Sequence, residues 1–170
     1  MNRPKQSEYN PYFQHYINLV DEGPYLDILD LNTELTAQFF REIPADKHDY
    51  RYAPGKWTVK EVLMHITDTE RVFAYRTLVC ARGDNKTPLH SMDEDLYATH
   101  AAVSGRTMES LVEEFLVIRK NSAFLFQNLT EDQSKFVGDG VTHPFTARAL
   151  GYIMIGHINH HINILNERYL

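Results

Sequence analysis

Cysteine is almost absent from this chain. Cys80 is the only one among 170 residues, which excludes an internal disulfide framework and any zinc cage built from thiolates. A bound metal would have to be held by histidine and carboxylate. Basic charge is also short, with 17 Lys and Arg against 23 Asp and Glu, a formal net charge of -6 and a pI near 5.8. Without a basic field, nucleic acid and anionic membrane surfaces are disfavoured as partners, and a small molecule fits better. No apolar run reaches membrane-spanning length before a charge interrupts it, and the opening "MNRPKQSEYN" is too polar for a signal peptide. A cytoplasmic location is expected. There is no internal repeat, low-complexity tract or linker that would divide the chain. With 43% hydrophobic and 24% charged residues, it reads as one domain over residues 1–170 that includes a polar leader at 1–10.

What is present is helical periodicity. "YFQHYINLV" reads as a short helix stopped by Gly23 and Pro24. From Tyr25 to Arg41, the positions Ile28, Leu31, Leu35 and Phe39 mark an apolar face at helical spacing, and Pro44 ends that segment. Thr58 followed by Glu61 is a capping box opening a second long helix through Val62, Ile66, Phe73 and Leu78 to the break at Gly83. A long connection follows, with room for a turn of helix. Thr107 opens a third helix with Met108, Leu111, Val112, Phe115, Ile118, Ala123 and Phe126 inward. "NLTEDQSKFVGDGVTHPF" is a second irregular connection with a capped turn at Thr130, and a fourth helix runs from about Thr146 to Tyr169. No strand-period alternation is strong enough to build a sheet. An all-α, four-helix bundle is the economical fold.

Histidine carries the chemical interest. On the fourth helix Leu150, Met154, His157, His161 and Leu165 share one stripe, the one a bundle turns inward. Two imidazoles four residues apart on one face can converge on a single ion. With nine histidines in the chain, one such pair is weak evidence. His65, on the inward face of the second helix with Val62, Thr69 and Val72, is the third candidate, although a lone core histidine is ordinarily a satisfied packing residue. His65 lies about 10 Å from the start of its helix and the His157/His161 pair about 15 Å from the end of its own. The two heights match only if those helices run antiparallel. That condition predicts an up-down-down-up order, with a long crossover between the second and third helices at residues 83–106.

Two segments, "RYAPGKWTVKEVLMHITDTERVFAYR" and "ARALGYIMIGHINHHINILNERYL", resemble the signatures of the DinB-like superfamily, the group that includes YfiT-type and bacillithiol-transferase-type proteins. The most specific parts are Trp57-Thr58 with Glu61 and His65, and Gly156-His157 with His160, His161 and Leu165. The resemblance implies an up-down-down-up bundle holding a divalent metal on three histidines, which fall on His65, His157 and His161. His160 matches a neighbouring histidine that is not a ligand in that pattern.

Other residues are weighed around this set. His160 is turned about 60° from His157 and suits an outer position. Asp68 could accept the free N–H of His65 or face solvent, and Glu61 could orient His65, although its capping role explains it. Glu70 and Arg71 suit a solvated face. Tyr12, Phe13, Tyr52 and Trp57 read as packing, and Cys80 as a small buried hydrophobe.

Three neutral imidazoles leave a cation's charge uncancelled and its remaining coordination positions open, which is how catalytic sites differ from closed structural ones. His ligands suit Zn, Ni, Fe or Co. The expected function is a metal-dependent enzyme activating a thiol or water against a small electrophile. The resemblance implies a low-molecular-weight thiol such as bacillithiol as possible co-substrate. A non-catalytic metal-binding, stress-response or structural module is the alternative. Relatives often pair through bundle faces, which makes a homodimer possible.

Overall fold

The computed structural model describes residues 1–140 and 143–170; Val141 and Thr142, in the second irregular connection, lie outside the described residues. The chain order is α1 (Gln14–Ile17), α2 (Tyr25–Glu42), α3 (Val59–Ala81), α4 (Glu94–His100), α5 (Met108–Gln127), α6 (Glu131–Ser134), β1 (Val137–Gly138), β2 (Phe145–Thr146) and α7 (Ala147–Arg168). Local chemistry sets most of the starts. The hydroxyls of Thr58, Thr107, Thr130 and Thr146 accept the backbone N–H groups of Glu61, Ser110, Gln133 and Ala149 respectively, giving those otherwise orphaned donors a partner. At α3 the capping box is reciprocal, since the Glu61 carboxylate accepts the Thr58 N–H at 2.6 Å.

Four helices form the bundle. α3 packs between α5 and α7, α2 lies on α5, and α1 lies on α7. The ends of the helices locate one another. Cys80, at the close of α3, sits 3.6 Å from the Phe145 carbonyl just ahead of α7, while the Tyr169 hydroxyl beyond α7 donates to the Trp57 carbonyl just ahead of α3. Tyr25 at the start of α2 stacks edge-on against Phe126 near the end of α5, and Arg41 near the end of α2 pairs with Glu109 at the start of α5. Two apolar clusters fill the interior. One gathers Tyr25, Leu29, Phe73, Phe126, Leu150 and Met154; the other gathers Phe40, Leu63, Ile66, Leu111, Phe115 and Leu165. α7 leaves the first at Ile155 and enters the second at Ile158, so His157 falls where they meet.

Four expectations need correction. In α2 the buried residues are Tyr25, Leu29, Asn32, Thr36, Ala37 and Phe40, whereas Leu31 and Leu35 are more than half exposed. Both stripes have helical period, so spacing could not choose between them; the larger aromatic side chains Tyr25 and Phe40 went inward. Leu78 is exposed at 41%. A short antiparallel ribbon exists after all, pairing Val137 with Thr146 and Gly138 with Phe145, and two-residue strands are too brief to show alternation. Glu70 does not face solvent: it is buried against Arg119 of α5, with nitrogen and oxygen 2.9 Å apart. Among the described residues no helix is long and apolar enough to cross a membrane.

Candidate metal centre

α3 and α7 each contribute an imidazole-bearing face to their shared seam. His65 comes from α3, and His157 and His161 from successive turns of α7. The Nε2 atoms converge. His157 Nε2 lies 3.1 Å from His65 Nε2 and 3.0 Å from His161 Nε2, and the three residues can present ring nitrogens all within 4.8 Å of one another. Around a tetrahedral ion with bonds of roughly 2.0–2.1 Å, neighbouring nitrogens would be about 3.3 Å apart. The two separations from His157 are close to that spacing.

Hydrogen bonding among the rings alone satisfies the arrangement poorly. A neutral imidazole nitrogen has either one N–H or one lone pair in the ring plane, yet His157 Nε2 faces two partners at bonding distance. The two contacts must therefore share a single proton or a single lone pair. Burial also favours neutral rings: it pushes His65 down to about 4 and His161 to about 3, and places His157 well below the usual histidine range. Uncharged rings with converging lone pairs form a donor set that could hold a divalent cation.

The surroundings fix some rings better than others. Tyr16 of α1 lies edge-on to His157 with centroids 5.5 Å apart. That contact needs Gly156, because a Cβ there would come within 1.9 Å of the Tyr16 carbonyl oxygen. Trp57 covers His65 at 4.5 Å. His65 Nδ1 is buried without a hydrogen-bond partner. The carboxylate suggested for it, Asp68, pairs instead with Arg71 at 2.7 Å; Arg71 in turn reaches Glu114 of α5, drawing Asp68 toward that side of the helix. Glu61 caps α3 and lies 3.8 Å from Arg51. His160 is outside the converging set and packs edge-on to Tyr16 at 5.2 Å and His15 at 5.8 Å.

The cluster borders a cavity of about 350 Å³, in the size range of small-molecule sites. Tyr12, Phe13 and Trp57, read from the sequence as packing residues, line it, as do Tyr16, Phe73, Arg76, Ser91, Met92 and Glu94. Arg76 was missed, although the sequence held its signal. Positions 65, 69, 72 and 76 follow helical spacing, and all four side chains line this cavity.

The family model for the DinB superfamily matches residues 28–165. The chain belongs to the DinB superfamily. No functionally curated protein matches it. Among solved structures, it is similar to YfiT from Bacillus subtilis, described as a probable metal-dependent hydrolase with an unusual four-helix bundle topology. That match has a TM-score of 0.72 and 18% identity, covering 98% of this chain and 90% of the other. At that identity the likeness speaks to the fold. A DinB fold thus presents three histidines together beside a cavity, and the cluster suggests a divalent metal.

Proposed function

We propose that this DinB-superfamily protein is a metal-dependent enzyme acting on a small molecule, with His65, His157 and His161 as the ligands. The observation that carries the reading is the convergence of three Nε2 atoms, two of them on buried histidines, on the wall of a cavity. A divalent Zn, Ni, Fe or Co ion held there would supply Lewis acidity, bringing the pKa of water or a thiol toward neutrality and polarising an electrophile. The chain's own part is to orient and to exclude. Burial keeps the imidazoles uncharged, so they leave the cation's charge uncancelled. Tyr16, Trp57 and Phe73 wall the site from bulk water and place apolar surface beside the reacting groups.

Hydrolysis and thiol transfer both fit this geometry. The description of YfiT as a probable metal-dependent hydrolase supports the first; the resemblance to bacillithiol-transferase-type proteins supports the second. The cavity favours either over a purely structural ion, which would be closed by four protein ligands. The helix-end contacts of α2 with α5 and of α3 with α7 support the up-down-down-up order. The test is turnover. Metal-loaded protein, assayed against activated esters with water alone and against alkylating electrophiles with low-molecular-weight thiols, should be active in one series and lose activity on chelation while keeping its helical circular dichroism. Inactivity in both series, or a metal-independent rate, would overturn the proposal.

A further inference from the structure

Arg76 is a charged side chain placed inside the cavity without a counter-charge. It is 8% exposed, and it lines the same cavity as the three histidines. Among the described residues it makes no ion pair with any carboxylate; its guanidinium donates through Nη2 to the carbonyl oxygen of His90. Burial lowers its pKa, opposed only by the nearby Cys80 thiol and by no carboxylate. Glu94 lines the cavity but does not pair with it. The other buried arginines differ. Arg119 meets Glu70 and Arg148 meets Glu8, as the cost of burying a charge requires.

The distances place Arg76 within one small molecule's reach of the histidines. Its guanidinium carbon is 5.8 Å from the Phe73 ring centroid, which is 6.2 Å from that of His157. Two such steps in series set an upper limit of about 12 Å between the guanidinium and the His157 ring. A guanidinium offers paired N–H donors matched to two oxygens of one anion. One bond to a carbonyl leaves most of that capacity unused.

We infer that Arg76 is the anchoring residue for an anionic substrate or co-substrate, holding a carboxylate or phosphate group in the cavity while the molecule's other end lies at His65, His157 and His161. The inference deepens the enzymatic reading by naming the substrate class. It does not require the metal in order to be tested. The contact with His90 offers the rival explanation, that Arg76 only tethers the segment before α4.

The probes are succinate, inorganic phosphate and, as a neutral control, succinamide, titrated by calorimetry and by the fluorescence of Trp57, the only tryptophan and itself part of the cavity wall. The proteins are wild type, Arg76→Gln, Arg76→Lys and His157→Ala, each checked for an unchanged circular dichroism spectrum. Gln keeps a donor for the His90 carbonyl but carries no charge. The expected result is binding of succinate or phosphate, whichever the site prefers, with succinamide silent. Arg76→Gln should weaken that binding by about tenfold or more, the scale of a hydrogen bond to a charged group, and Arg76→Lys by less. His157→Ala should lose metal yet still bind the anion through Arg76. If Arg76→Gln binds both anions as wild type does, or wild type binds neither, the inference is overturned. A wild type that takes up no divalent ion but binds anion through Arg76 would sink the metal reading and leave this one standing.

Discussion

α3 carries two buried polar features five residues apart, and they solve the problem of burial in opposite ways. Glu70 turns toward α5 and meets Arg119, both only 1% exposed, so opposite charges offset each other inside the bundle. His65 turns toward α7 and meets two further imidazoles, so like groups gather with no carboxylate bonded to them among the described residues. The ion pair has each charge beside its counter-charge and belongs to the scaffold. The histidine cluster has only other imidazoles as polar partners among the described residues. A counter-charge supplied within the fold, rather than burial or polarity, separates a structural polar group from a candidate functional one.

The sharpest way to press that contrast is to remove one member of each feature. Arg119→Met leaves the Glu70 carboxylate buried and unpaired. Breaking such a pair costs about 3–5 kcal/mol, read as a lower urea midpoint at constant slope, and a second change, Glu70→Leu, should restore much of the loss. His157→Ala should instead leave the unfolding free energy of the metal-free protein, read from urea titration, within about 1–2 kcal/mol of wild type. It should weaken divalent-ion binding by more than the 10–100-fold typical of an outer-shell change, measured by competition with a chromophoric chelator.

Metal and protons should then compete at the cluster. In wild type, zinc at 100 times its dissociation constant should raise stability by about 2.7 kcal/mol, and His157→Ala should show no such gain. Acid should act on the metal-free protein in a defined direction. His65 and His161 are depressed to about 4 and about 3 from an unfolded value near 6.5. Between these limits the unfolded chain binds more protons than the folded one, so stability falls as pH drops from about 6.5 toward 3. A flat stability profile across that window would contradict the buried, neutral state of the rings. The smallest effect belongs to the exposed Arg41–Glu109 bridge, where Arg41→Ala should leave the urea midpoint almost unmoved, because solvent screens both charges.

Much of this was legible in the sequence because it is local. The threonine caps at 58, 107, 130 and 146 each depend on a side chain three residues from its partner. The three histidines could be singled out because two share one helix face and the third fits by height; the structure brings their nitrogens together. Decisions made by tertiary contact were not legible. The α2 sequence offers two stripes of helical period, and only packing against α5 and α7 determines that Leu29 and Phe40 turn inward while Leu31 and Leu35 do not. Glu70 looked solvated because its partner, Arg119, is 49 positions away on another helix. Asp68 was drawn to Arg71 by a network including Glu114, whose placement no spacing along α3 could reveal.

Elemental analysis of the protein purified without added metal, compared with His157→Ala purified in parallel, tests the central claim most directly. One divalent ion per wild-type chain, lost in the variant while both give the same circular dichroism spectrum, is the predicted result. A wild-type chain that remains metal-free even after equilibration with excess zinc, nickel, iron or cobalt, or a variant that retains its ion, would contradict the account.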